Sequence, residues 1–228
     1  EYKAQNQQTG EQVTLRTQTP VEAVGYPVKT FENLPDLELE LTTAFNFLTV
    51  AQFGPRKNLH NTIKWFIEEF RDEDVGLVVK SNIAKNCLMD RNRLYGDLTK
   101  FIREQGERQC KVYLLHGDMT DAEMHSLYQH SDIHAFVSLP HGEGFGLPLF
   151  EAACNGLPIV ATDWSGQLDF LYAPQKDKKG KTKKKGLFGK VSYNLGKVQK
   201  EAVWDGVITP ASQWAYPNDA SAKKKMRE

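Results

Sequence analysis

Cysteine is scarce in this 228-residue chain: Cys87, Cys110 and Cys154 are the three present, odd in number and far apart. They cannot make a disulfide framework and read as reduced thiols, so a cytoplasmic location is expected. Excess charge is also lacking. Lys and Arg number 29, Asp and Glu number 29, and the pI is near 7.2. Bulk charge therefore draws the chain to neither nucleic acid nor membrane. No apolar run reaches the roughly 18 residues that span a bilayer. Residues 1–19 are polar and rich in Gln and Thr, unlike a secretory signal. An initiator Met is missing before Glu1, so the chain is read as a fragment or a processed piece. Metal-ligand spacing is lacking too. His60, His116, His125, His130, His134 and His141 form no recognised zinc pattern with a cysteine or an acid, so no metal is expected. Only His141 stands out by position, two residues before Glu143.

What is present suits a soluble globular protein: 40% apolar residues and 25% charged ones. The length suits a single domain over residues 1–228, with a polar N-terminal segment at 1–19 and a Lys-rich loop at 176–186. That loop carries seven lysines and one aspartate within 176–185. It reads as a solvated, mobile loop; the lesser reading is contact with an anionic partner such as lipid head groups. Strand-like apolar runs fall at 47–51, 75–80, 111–116, 133–139 and 158–161. Helical periodicity falls at 58–70, where Ile63, Phe66, Ile67 and Phe70 share one face, and near 89–105. Thr120 and Glu123 form a capping box for a helix to about residue 130. Further helices are expected at 147–154, stopped by Asn155-Gly156, and at 166–171. Past Phe170 the pattern loosens, and residues 223–228 look like a helix cut short. Strand–helix alternation with short connections predicts an α/β fold, a parallel sheet with helices on both faces. In such sheets ligands sit beyond the C-terminal ends of the strands.

Three constellations fall at that edge. The first is Pro140-His-Gly-Glu-Gly-Phe-Gly-Leu-Pro-Leu-Phe-Glu151, in which Glu143 and Glu151 are separated by seven residues. Gly142, Gly144 and Gly146 form a turn that runs into a helix, whose bare N–H groups and dipole favour an anion. Carboxylates repel phosphate, so each Glu is suited to hydroxyls beside it. The bland alternative is a capping turn with an incidental helical Glu. The second constellation is Gln52-Phe-Gly-Pro-Arg-Lys-Asn58, where Arg56 and Lys57 can neutralise a diphosphate or form an exposed basic turn. The third is Leu114-Leu-His-Gly-Asp-Met119, whose backbone at Gly117 could read a base edge and whose Met119 could pack on a ring, or which is an ordinary loop. The Gly-x-Gly-x-x-Gly dinucleotide fingerprint does not occur in the turn.

With these motifs placed, the chain resembles the C-terminal, nucleotide-sugar-binding domain of retaining glycosyltransferases of family 4, with GT-B architecture. The resemblance covers about residues 20–225 and is strongest at 131–163, which looks like the family's Glu-x7-Glu block. The resemblance implies a Rossmann-like sheet and a nucleotide-diphosphate sugar as substrate, without a cofactor. It implies that Glu143 contacts sugar hydroxyls and Glu151 the ribose. The N–H groups of Gly144, Phe145, Gly146 and Leu147 would hold phosphate, as would Arg56 and Lys57, and Gly117–Met119 would meet the base. Ser165-Gly166 looks like the family's small-residue loop. Two departures stand out. Ala51-Gln52 occupies the place where the family often has Gly-Arg, with Arg56 as the candidate substitute. The family's N-terminal acceptor-binding domain is missing. The expected partners are therefore a nucleotide-sugar donor and that missing domain.

Two other readings compete. A glycoside hydrolase would need its carboxylates roughly 5–9.5 Å apart across a sugar, and the glycine turn would then have no use. A non-catalytic nucleotide or nucleotide-sugar binding module would use the same residues without turnover.

Overall fold

The structure is a computed structural model describing residues 2–5, 10–16, 18–22, 24–176 and 180–228. The chain divides into two compact units, Glu1–Thr30 and Phe31–Glu228. In the first, strand β1 (Tyr2–Gln5) pairs antiparallel with β2 (Gln12–Leu15), Tyr2 opposite Leu15. The polar segment 1–19 thus contains a hairpin; its residues 1, 6–9 and 17 lie outside the described residues.

The second unit holds the alternation read from the sequence. Its elements are β3 (Phe45–Val50), α1 (Leu59–Phe70), β4 (Val75–Lys80), α2 (Leu88–Glu104), β5 (Lys111–Leu115) and α3 (Asp121–Gln129). Then come β6 (Ala135–Ser138), α4 (Leu147–Cys154), β7 (Ile159–Thr162), α5 (Leu168–Leu171), β8 (Tyr172–Lys176) and β9 (Thr182–Gly186). The last are β10 (Gly189–Val191), β11 (Tyr193–Lys197), β12 (Gln213–Pro217) and α6 (Asp219–Arg227). Six strands make one parallel sheet in the order β10-β7-β6-β3-β4-β5. This is the expected Rossmann-like α/β architecture.

Side chains alternate between the two faces of a strand, and both faces here are covered. Phe47, Leu77, Val79, Val137 and Val160 pack with Ile63, Phe66, Ile67 and Phe70 of α1, Leu94 and Leu98 of α2, and Met226 of α6. Leu48, Val78, Phe136, Ile159 and Ala161 pack on the other side with Leu127 and Tyr128 of α3 and Leu149 of α4. Burying one such aliphatic side chain is worth about 1.5–3 kcal/mol. The capping box at Thr120 is formed in both directions with Glu123.

The chain runs β3-β4-β5 outward in one direction, then returns to place β6 on the other side of β3. A crevice therefore opens between the C-terminal ends of β3 and β6, the topological switch point of a doubly wound sheet.

The C-terminal third differs from its sequence reading. The Lys-rich segment is not an irregular loop: Lys176 lies in β8 and residues 182–186 in β9, paired antiparallel with Lys176 opposite Thr182. Backbone pairing needs no apolar alternation, and the lysine side chains of this hairpin stay in water. Residues 177–179 of the segment lie outside the described residues. β10 joins the sheet beside β7, and β11 pairs with β12. The terminal helix begins at Asp219, where the Asn218 side chain accepts a hydrogen bond from the Ser221 N–H at 2.9 Å. Among the described residues no helix is long and apolar enough to cross a membrane.

Leu48 is fully buried on the central strand. Leu48→Ala is expected to cost about 2–5 kcal/mol in urea unfolding. Lys184→Ala, on the exposed hairpin, should stay within about 0.5 kcal/mol.

Candidate functional site

Two loops meet at the switch point. After β3 the chain makes a short 3-10 turn at Pro55–Lys57 and passes through Asn58, whose φ of 56° is a left-handed conformation that Asn tolerates. The buried Asn58 amide donates to the Leu139 carbonyl at 2.9 Å, tying this loop to the end of β6. The His141 N–H donates to the Arg56 carbonyl at 2.9 Å. The side chains complete the junction. Lys57 Nζ lies 2.6 Å from Glu143 Oε1, and an Arg56 guanidinium nitrogen lies 3.1 Å from Glu143 Oε2. The same nitrogen donates to the Gly142 carbonyl at 2.6 Å. The Glu143 side chain is only 9% exposed. A carboxylate so far out of water needs partners, and two cations supply them.

A third loop holds the Glu143 backbone. Ser165 Oγ accepts from the Glu143 N–H at 3.0 Å and donates to the Glu143 carbonyl at 2.6 Å. The Gly166 N–H donates to that carbonyl at 3.0 Å. Ser165 sits at φ 82°, a strained conformation for a residue with a side chain, typically costing about 1–3 kcal/mol. A Cβ on Gly166 would lie 1.9 Å from the Gly144 carbonyl oxygen, so only glycine permits this approach. Gly146, at φ 89°, then opens α4 without a side-chain cap. Phe145 anchors the turn on its apolar side, with ring centroids 5.2 Å from Phe150 and 5.0 Å from Phe170. Leu147 begins α4 and is partly exposed.

Glu151 lies further along α4 and accepts a hydrogen bond from the Tyr128 hydroxyl at 3.1 Å. Burial, and then the neighbouring Glu151 charge, push the Tyr128 hydroxyl well above its ordinary pKa. Beside the ion-paired cluster is a cavity of about 530 Å³. Arg56, Lys57, Lys80, Asp118, Met119 and Pro148 are among the residues that line it. Gly117 bounds the same region, and its carbonyl accepts a hydrogen bond from Lys80 Nζ. The loop after β4 is pinned by Asp90, whose carboxylate accepts from the N–H groups of Ile83, Ala84 and Lys85 at 2.9, 2.7 and 2.9 Å. Asp90 also contacts His116 Nε2 at 2.9 Å. These backbone donors hold the Asp90 carboxyl far below the usual carboxylate range.

The structure thus joins Arg56, Lys57 and Glu143 directly. It places Met119 in the adjoining cavity, and it turns Glu151 toward Tyr128. His141 belongs to the core: Nδ1 donates to the Ala215 carbonyl at 2.8 Å, its ring stacks on Trp214 at 5.1 Å, and burial lowers its pKa. Gln52 offers no cation, and its amide donates to the Ile83 carbonyl at 2.7 Å. Lys80, Ser81 and Tyr128 were not singled out in the sequence, and Asp118 entered only as part of the loop Gly117–Met119. Lys80 carried one usable signal, its place at the C-terminal end of a predicted strand; Tyr128 carried none. Among the described residues no three His, Cys, Asp or Glu side chains are grouped to hold a metal ion.

Fold and crevice define a doubly wound α/β domain with a charged site at its switch point. The chain belongs to the family described as Glycosyl transferases group 1, whose model matches residues 32–176. Among curated proteins it is 30% identical over 135 residues to the serotype-specific mannosyltransferase WbdA of Escherichia coli. That match covers 58% of this chain and 15% of the relative, so the chain spans a small part of the curated proteins it matches. Similar solved structures include one described as trehalose-6-phosphate from E. coli bound with UDP-2-fluoro glucose. Its TM-score is 0.45 and its identity 13%, over 58% of this chain and 32% of that one. Another is Anabaena Alr3699/HepE in complex with UDP and glucose, with a TM-score of 0.46 and 17% identity over 60% of this chain and 34% of that one.

Gly166→Ala is expected to lower stability by about 1–3 kcal/mol or more in thermal unfolding, because the new methyl group would overlap the Gly144 carbonyl. Asp90 supplies a pH dependence. Its folded pKa is depressed, so its stabilisation is present above its unfolded pKa of about 3.9 and is lost as pH falls through the folded value. Asp90→Asn should therefore be destabilised relative to the parent at pH 7. The difference should shrink as urea titrations move from pH 5 toward pH 2.

Proposed function

We propose that this chain is the donor-binding, C-terminal domain of a family 4, GT-B type retaining glycosyltransferase. It would move a sugar from a nucleotide-diphosphate sugar to an acceptor held by a separate N-terminal domain. The observation that carries this reading is the joint pairing of Arg56 and Lys57 with the buried Glu143 at the switch point. Two cations and a carboxylate there suit a ligand that combines a diphosphate with hydroxyls.

The chemistry follows from charge. Breaking the sugar–phosphate bond leaves positive charge on the sugar ring and negative charge on the departing diphosphate. Arg56 and Lys57 stabilise the diphosphate, assisted by the N–H groups of Gly144, Phe145, Gly146 and Leu147 at the start of α4. Glu143, released from its cations by the phosphates, accepts hydrogen bonds from the sugar hydroxyls. Glu151 accepts them from the ribose, and Gly117–Met119 meet the base. In this reading the protein supplies the positive charge without a metal ion. The free thiols of Cys87, Cys110 and Cys154 agree with a cytoplasmic place of work.

Lys57→Ala and Glu151→Ala are each expected to weaken nucleotide-sugar binding about tenfold or more in calorimetry, the value of a lost charge-assisted hydrogen bond. In the intact enzyme Lys57→Ala should also lower the transfer rate by about 10²–10³. Unchanged affinity in both variants would remove the assignment. Donor binding without transfer by the full-length protein would favour a binding module instead.

A further inference from the structure

The end of β4 carries two polar side chains that the ion-paired cluster does not use. Lys80 and Ser81 both line the 530 Å³ cavity, as do Arg56 and Lys57. Ser81 is 4% exposed, yet its hydroxyl oxygen has no hydrogen-bond partner among the described residues. A buried hydroxyl without a partner, on a residue that lines a cavity, is uncommon, because leaving it unsatisfied costs free energy. Its backbone is accounted for: the Ser81 N–H donates to the Leu115 carbonyl at 3.1 Å. Only the side chain is idle.

Lys80 differs from the other two cations of the crevice. Arg56 and Lys57 are each within 3.1 Å of a Glu143 oxygen. Lys80 Nζ is held only by the neutral Gly117 carbonyl, and among the described residues no carboxylate forms an ion pair with it. Burial lowers its pKa, and the charge of nearby Asp118 acts the other way. An anion reaching Lys80 breaks no ion pair.

We propose that Lys80 and Ser81 form a phosphate subsite that takes the nucleoside-side phosphate of the bound nucleotide. Lys80 Nζ supplies the charge, and Ser81 Oγ–H donates a hydrogen bond to a phosphate oxygen. This rests on the reading of the crevice as a nucleotide-diphosphate site. The order along the sheet edge assigns the phosphate. Glu143 follows β6, Arg56 and Lys57 follow β3, Lys80 ends β4 with Ser81 just after it, and Gly117–Met119 follow β5. A ligand laid across that edge meets Lys80 and Ser81 between the sugar-side cations and the base loop. Gln52 points its amide at Ile83, so the charge on this side comes from β4 rather than from the residue after β3.

The test compares three probes by calorimetry at one ionic strength: a nucleoside, its monophosphate and its diphosphate, in the uridine and guanosine series. Ser81→Ala removes a hydroxyl that bonds nothing in the protein. It should leave the melting temperature unchanged or raised while weakening monophosphate and diphosphate binding several-fold. Lys80→Met should weaken both by about tenfold or more, and Lys80→Arg should recover most of the loss. Lys57→Ala should spare the monophosphate and affect the diphosphate. If Lys80 merely fixes the Gly117 loop, nucleoside affinity will fall in step with nucleotide affinity in Lys80→Met. That result, or wild-type monophosphate affinity in Ser81→Ala, overturns the subsite. Failure of the unmodified protein to bind any of the nucleotides would overturn the underlying donor-site reading as well.

Discussion

One buried carboxylate ties the site together. Glu143 is shared by Arg56 and Lys57, and through them the loop after β3 is fastened to the loop after β6. These are the two strands between which the chain reverses direction across the sheet. The carboxylate would be costly to bury alone, and two adjacent cations would repel one another without it. Each half of the arrangement therefore needs the other. The backbone of Glu143 is fixed independently by Ser165 and Gly166 from the loop after β7. Three strand ends thus converge on one residue.

The same division of labour extends along the sheet edge. Asp90 gathers three backbone N–H groups after β4 and meets His116 at the end of β5. Tyr128 of α3 reaches Glu151 of α4 across the other face. Each contact joins neighbouring elements of the second unit through a charged or polar group placed near a strand end or on a helix beside it. The apolar layers set the spacing of strands and helices; these few polar contacts set where the loops lie.

Much of the fold was legible because its signals are local. Ile63, Phe66, Ile67 and Phe70 repeat at helical spacing and are all buried on α1. Thr120 and Glu123 form the box their spacing predicted. Residues 75–80 are apolar enough for a strand buried on both faces, and β4 is such a strand. β10 was not legible, because a three-residue strand becomes one only when β7 lies beside it. The β8–β9 hairpin was hidden for the opposite reason, since its lysines show no apolar alternation. At the site, the glycine turn and the basic turn could be read from residue types and their order. Lys80 offered only its place at a strand end, and Ser81 and Tyr128 offered nothing, because a lone polar residue gains meaning only from what another element brings beside it.

The pairing of Glu143 with both cations also bears on how a ligand arrives. Around the crevice stand Arg56, Lys57 and Lys80 against Glu143 and Asp118, three positive groups and two negative ones. Little net field extends beyond such a cluster, and the whole chain is formally neutral as well. Long-range electrostatic capture, which speeds encounter and fades with salt, has little to act on. Selection then falls on how long a molecule stays once its several parts have found their places, so discrimination resides in departure rather than arrival.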